Sequence, residues 1–364
     1  MRLFRCRNCG QLLYFENTVC EKCGHALGYA WEQDALLTLA AAQNDLWFEA
    51  QAPTTSFIYC ANYEYGVCNW LIPSHTGDTL CLACQLNRII PDLDLADNLK
   101  RWRKLEIAKH RLVYSLQQLK LPVITKGTDV DGGLAFDFLA DAEGAGGQAA
   151  PITTGHRNGI ITINIAEADD ARREEMRQSL AEPYRTLLGH FRHEIAHYYW
   201  TRFAQSDNWL GDFRSLFGDE RTDYGEALQN HYANSANEQW NAAFISAYAS
   251  AHPWEDWAET WAHYLHIVDT LETAYAFGIQ VEPIVHVDDA LSARVNVNAY
   301  REPNFERIID TWLPLTFAVN SLNRAMGHAD LYPFILTQPV LQKMEFIHDT
   351  IRSGAAQGQV NNAP

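Results

Sequence analysis

His193-Glu194-Ile195-Ala196-His197 sets two imidazoles four residues apart, with a carboxylate beside the first. Residues 186–203 contain no proline and read as a helix. At 100° per residue, His193, Glu194 and His197 share one arc of about 100°. Leu188, Phe191, Ile195 and Tyr199 fall on the other side. Two imidazoles one turn apart on one face suit two ligands of a single Zn²⁺. Without a metal, burying such a polar group on an apolar helix would be costly. Glu194, at a different wheel angle, is the candidate catalytic general base for a water at that ion. His190, one turn earlier, reads as a packing or supporting residue rather than a ligand.

A catalytic zinc usually takes three protein ligands and leaves one position for water. A glycine three residues and a histidine six residues past the second His would mark one large class. Trp200 and Phe203 stand there instead, which excludes it. The third ligand is therefore sought in His252–His266, opened by Pro253. On a helical wheel Trp254, Trp257, Trp261, Tyr264, Leu265 and Val268 form one stripe, and Glu255, Glu259, His263 and His266 the opposite one. An acidic stripe on a helix with so wide an aromatic face needs a partner, and zinc is a natural one; the bland alternative is a solvated polar face. Glu259, between Trp257 and Trp261, is the preferred third ligand, with Glu255 as the alternative. If Glu255 binds the metal, Glu259 becomes the acceptor for a ligand histidine. Donors to a developing oxyanion are sought among His252, Tyr248, Tyr232, His231 and His263.

All eight cysteines lie in the first quarter of the chain. Cys6-x2-Cys9 and Cys20-x2-Cys23 are two knuckles whose four thiolates complete a tetrahedral shell suited to Zn²⁺. Gly10 and Gly24 follow each knuckle, where a turn needs positive φ. Cys60, Cys68, Cys81 and Cys84 are less regular, but four thiols with none left over favour a second zinc; rubredoxin-like iron or four buried free thiols are the alternatives. Closed thiolate shells leave no position for substrate, so these metals are structural. They supply folding energy to segments too short for a core.

The elements that must position these groups follow from the rest of the chain. It has 364 residues, 47% of them hydrophobic, with 11 Trp, 16 Tyr and 16 Phe, enough for a substantial core and two or three domains. The net charge of −17 disfavours an anionic partner over a broad surface. No run of about 18 uncharged apolar residues occurs, so no membrane helix is expected. The start has no apolar signal region, so a cytoplasmic protein with reduced thiols is expected. Residues 1–30 read as a zinc ribbon and 31–92 as a connector plus the second cysteine module. Within the latter, residues 31–50 read as a connector with helical character. The domain that carries His193, Glu194 and His197 is expected over 98–352 and a disordered tail over 353–364. A helix is expected over Asn98–Leu119, strands over Leu134–Leu139 and Ile160–Ile165, and a flexible loop over Asp141–Pro151. The basic residues of the first of these, Lys100 to Arg111, read as the solvated side of an amphipathic helix.

His193-Glu194-x-x-His197 with a later glutamate resembles the gluzincin metallopeptidases, and Trp257-Ala258-Glu259-Thr260-Trp261 resembles the third-ligand helix of some members. Together with the N-terminal cysteine knuckles, the chain resembles a bacterial family of zinc-binding metallopeptidases that carry a zinc ribbon. The resemblance implies an α+β fold: a mostly helical zincin-like domain with a small β-sheet, preceded by small zinc-ribbon or rubredoxin-like four-cysteine modules. It implies a zinc metallopeptidase with three Zn²⁺ sites, one catalytic and two structural, acting on a peptide or protein substrate. It also implies that Ile160–Ile165 is an edge strand that pairs with extended substrate. The competing readings are a zinc-ribbon binding or regulatory protein with a scaffold domain, and a zinc hydrolase of non-peptide amides. Arg2, Arg5, Arg7 and Lys22 form only a modest positive patch, so docking of a protein through the ribbon is favoured over nucleic acid.

Overall fold

The computed structural model describes residues 2–141, 152–179, 186–233, 239–285 and 289–358. The architecture is α+β, and the chain divides into two compact units.

The first unit comprises Met1–Val113, Ile124–Gly155 and Gly159–Asp169. Its N-terminal strands β1 (Phe4–Arg5) and β2 (Leu12–Leu13) pair as a hairpin. Then β3 (Ala26–Ala30), β4 (Ala35–Ala41), β5 (Trp47–Glu49), β6 (Ser56–Tyr59) and β7 (Leu71–Pro73) build an antiparallel sheet in sequence order. The residue 30 boundary expected between modules falls in the β3–β4 hairpin, where Ala30 pairs with Ala35. Residues 31–50 are not a helical connector: only Trp31–Gln33 forms a short turn of helix, and β4 and β5 follow. The physical reason is burial on both sides of β4. Ala35 to Leu39 are all buried, and Leu37 and Leu39 pack with Phe57 and Leu71, so a run rather than a helical period is what this segment needs. Gly28 faces this core so closely that a Cβ would lie 2.5 Å from Leu71 Cδ2.

The short helix α1 (Leu82–Gln85) is followed by β8 (Asn87–Ile89) and by α2 (Asn98–Gln118), whose residues from Tyr114 onward belong to the second unit. A second sheet has the order β10 (Gly155–Arg157), β11 (Ile160–Asn164), β9 (Ala135–Leu139), β8. β9 runs parallel to β11, with Ile160 opposite Ala135. The expected edge at Ile160–Ile165 is therefore corrected: β11 lies between β9 and β10. Ile161 and Ile163 are fully buried, which a solvent-facing edge would not provide. Of the loop expected over 141–151, only Asp141 lies within the described residues.

The second unit comprises Tyr114–Val123, His156–Asn158 and Asp170–Pro364. Its helices are α3 (Asp170–Ser179), α4 (Leu187–Phe203), α5 (Asp207–Phe217), α6 (Tyr224–Ala233) and α7 (Pro253–Phe277). A small hairpin of β12 (Gln280–Val281) and β13 (Ala293–Arg294) precedes α8 (Phe305–Ala325) and α9 (Gln338–Gly358). The tail expected to be disordered from Ser353 is helical through Gly358, and residues 359–364 lie outside the described residues. Among the described residues, no helix is long and apolar enough to cross a membrane.

Local chemistry starts and stops the two helices that matter most. Thr186 caps α4 by accepting from the Gly189 amide at 3.0 Å. His252 caps α7 by accepting from the Trp254 amide, Pro253 occupies the first turn, and Gly278 closes the helix at φ 64°. The two pack through aromatic contacts: Trp261 stacks on Tyr199 at 5.6 Å, and Trp257 donates to the Ala196 carbonyl at 2.9 Å. Trp209, Phe213 and Phe217 of α5 and Phe346 of α9 complete this core around Trp257. Acids of α7 are buried too: Glu255, Asp256, Asp269 and Glu272. Each of these acids therefore needs a partner.

Candidate metal centres

The two knuckles of the first unit are built alike. The Gly10 amide donates to the Cys6 carbonyl and the Cys6 amide to the Gln11 carbonyl; Gly24, Cys20 and His25 repeat the pattern. Gly10 and Gly24 take φ 75° and 74°, which turns the second thiol of each knuckle back toward the first. The Cys6–Cys23 and Cys9–Cys20 sulfurs approach to 3.7 and 3.6 Å. Four sulfurs at about 2.3 Å from one tetrahedral zinc would stand about 3.8 Å apart, so the set fits the ion. Donation from the His25 amide pulls the Cys23 thiol down to about 5, toward the thiolate a metal requires.

Cys60, Cys68, Cys81 and Cys84 form a second group whose sulfurs lie within 4.8 Å of one another, all four buried. Cys68 and Cys81 are 3.7 Å apart, and the Trp70 and Cys81 amides donate to the sulfurs of Cys68 and Cys60. Unlike the first group, this one continues into a polar cluster. Cys84 Sγ lies 3.9 Å from both Glu106 Oε2 and His110 Nε2, and Glu106 pairs with the fully buried Lys109 at 2.8 Å.

The third group is in the second unit. His193 Nε2 and His197 Nε2 on α4 stand 3.2 Å apart. Glu255 of α7 approaches them, with Oε2 3.0 Å from His193 Nε2 and Oε1 3.7 Å from His197 Nε2. Nitrogen ligands at about 2.0–2.1 Å from a tetrahedral zinc would lie about 3.3 Å apart, so this spacing also fits. Glu255 is 1% exposed and its Oε2 accepts no hydrogen bond, which leaves a buried carboxylate oxygen aimed at two imidazoles.

Glu259, the preferred third ligand, does not join this group. Its Oε1 lies 2.7 Å from His193 Nδ1 on the far side of the ring. One helical turn separates the two glutamates, and that turn carries Glu259 past the Nε2 atoms to the other ring nitrogen. Its Oε2 accepts from Ser246 Oγ at 2.7 Å, and Ser246 is itself held by the Ala249 amide. A donor hydrogen on His193 Nδ1 leaves Nε2 as the free lone pair, the tautomer a metal ligand needs.

The electrostatics split the imidazoles. Burial alone would push His193 down, but Glu255 and Glu259 raise it well above the usual histidine range. Burial lowers His197 to about 3. Burial would raise both glutamates, yet His193 holds each at about 2.

Glu194 is buried on α4, and its charge, with that of Glu255, helps to raise Tyr224. His190 lies outside the group of ligand atoms. Of the five oxyanion candidates, Tyr248 stands nearest, its ring 6.0 Å from that of His193, and His231 is 6.2 Å from Tyr248. Tyr232 is exposed, with its ring 5.5 Å from that of His231. The other two are engaged elsewhere: His252 has Nδ1 on the Trp254 amide and Nε2 on the Thr222 carbonyl, and His263 Nδ1 is 3.0 Å from the Tyr332 hydroxyl. Three neighbours carry no signal in the sequence. Tyr224 donates to Glu255 Oε1 at 2.8 Å, Ser246 holds Glu259, and His156 stacks on His197 at 6.5 Å. Each reaches the site from a separate element, so no local spacing could have marked it.

Residues 98–350 match the family described as "Putative zinc-binding metallo-peptidase", and residues 3–95 match a zinc-ribbon domain. Uncharacterized proteins of Mycobacterium bovis and of two strains of Mycobacterium tuberculosis are 44% identical over 352 residues, covering 96% of this chain and 95% of theirs. No solved structure matches the chain. The chain belongs to this zinc-binding metallo-peptidase family, with a zinc-ribbon domain ahead of the peptidase region.

Proposed function

We propose that the chain hydrolyses peptide bonds at a zinc held by His193, His197 and Glu255, with Glu194 as general base. The observation that carries this reading is the meeting of two Nε2 atoms 3.2 Å apart with a buried carboxylate oxygen that accepts no hydrogen bond. Glu255 takes the ligand role in place of Glu259. Glu259 instead orients His193 through Nδ1, with Ser246 fixing its second oxygen. When bound, zinc would lower the pKa of a water toward about 7 and polarise the scissile carbonyl. Glu194 accepts a proton from the attacking water and delivers it to the leaving amine. Tyr248 and His231 are the candidates that remain close enough to face charge on the scissile oxygen.

In this reading the two four-cysteine groups hold structural zincs, for a total of three. The ribbon offers a docking surface for protein rather than nucleic acid. A digest of a peptide library by wild type and Glu194→Gln in parallel tests the assignment. The expected result is cleavage by the wild type alone, with equal zinc content in both. Turnover retained by Glu194→Gln would remove the proposed base, and a wild type inert to peptides but active on small amides would favour the non-peptide alternative.

A further inference from the structure

The two oxygens of Glu255 are not equivalent. Oε1 accepts from the Tyr224 hydroxyl at 2.8 Å and lies 3.7 Å from His197 Nε2, whereas Oε2 accepts no hydrogen bond and lies 3.0 Å from His193 Nε2. Tyr224 opens α6, and its ring packs edge-on against His252 at 5.2 Å and against Trp254 at 6.0 Å, the residues that begin α7 just before Glu255. Ring and hydroxyl therefore reach the same turn of α7.

We infer that Tyr224 is a positioning residue that commits Glu255 to grip the metal through Oε2 alone. The inference rests on the ligand set proposed above. A carboxylate with both oxygens free can swing or chelate through both. A donor on one oxygen fixes the carboxylate plane, presents the other oxygen as a single ligand and leaves a coordination position open. Tyr224→Phe keeps the ring that packs on His252 and Trp254 and removes only the hydroxyl.

The test is zinc affinity of the full chain by competition with a chromophoric chelator, taking the zinc missing from His193→Ala as the relevant class. Tyr224→Phe is expected to weaken that class about 10- to 100-fold. Cysteine-bound zinc and the melting of the full chain without metal at that site should be unchanged. Cobalt substituted at the site should show weaker visible bands in Tyr224→Phe, as its coordination number rises. Adding Tyr224→Phe to Glu255→Gln should cost little more, since both act through one carboxylate.

Unchanged affinity in Tyr224→Phe, or fully additive losses in the double variant, would overturn the inference. Should Tyr224→Phe fail to fold, unchanged affinity in Tyr224→Met, which also lacks the hydroxyl, overturns it equally. Unchanged affinity in Glu255→Gln would instead remove the ligand set on which it rests.

Discussion

The two four-cysteine groups and the histidine–glutamate group bring charged donors together in opposite ways. Each cysteine group gathers like donors from a short stretch of chain, turned inward by knuckles such as Cys6–Gly10 and Cys20–Gly24. Backbone amides reach the sulfurs of Cys60 and Cys68, the Thr38 hydroxyl reaches that of Cys6, and Glu106 and His110 reach that of Cys84. The histidine group draws on two long helices, with Glu259 66 positions from His193, and two of its donors, His193 and Glu255, have Glu259 and Tyr224 behind them. A closed shell of identical thiolates needs only to be brought together, and the metal then holds the fold. A site that must keep a position open has to be held by the protein instead, so its acids are buried, capped and braced ahead of metal binding.

That contrast predicts the largest effect where the fold depends on the ion. Replacing Cys60 and Cys84 together by Ser should unfold the first unit, because binding energy of about 10–16 kcal/mol is folding energy in such modules. Far-UV circular dichroism and limited proteolysis of residues 26–89 would report it, and a native first unit without zinc would break the comparison. Glu194→Gln is the complementary case: hydrolysis should fall about 10³-fold with the fold and zinc content intact.

The bracing of the second unit yields a third expectation. Arg192, next to His193, forms a buried ion pair with Asp269 of α7, which also accepts from Tyr300 and Ser115. Asp269→Ala leaves that guanidinium buried and unpaired, and should destabilise the second unit by about 3 kcal/mol, read as a lowered midpoint in urea. The most gradual effect is a pH dependence. Burial lowers His263 to about 4, below the usual value near 6.5. Between these values the unfolded chain binds more protons than the folded one. Stability is therefore complete above about pH 6.5 and lost toward pH 4, at no more than about 1.4 kcal/mol per pH unit. His263→Gln should flatten that slope, and an unchanged slope would assign the acid sensitivity to other groups.

The sites most legible in the sequence are those whose geometry is local. A two-residue knuckle and a four-residue helical spacing are set by backbone geometry alone, so Cys6, Cys9, Cys20, Cys23, His193 and His197 can be grouped by spacing. Glu255 and Glu259 share a wheel position within one turn. Which of them meets the Nε2 atoms depends on the height at which α7 crosses α4, set by contacts such as Trp257 on Ala196 and Trp261 on Tyr199. The fold behaves similarly. α2 and α7 carry clear periods and caps, whereas β4, buried on both faces, has no period to read, and the place of β11 inside its sheet depends on strands distant in sequence. Tyr224 and Ser246 have no spacing that ties them to the acids they hold.

Element-resolved metal counting on wild type, His193→Ala, Glu255→Ala and Glu259→Ala bears most directly on the proposed centre. The account predicts about three zinc ions in wild type, about two in His193→Ala and Glu255→Ala, and a third ion retained but more weakly held in Glu259→Ala. Two ions in wild type, or three in Glu255→Ala with loss confined to Glu259→Ala, would contradict it.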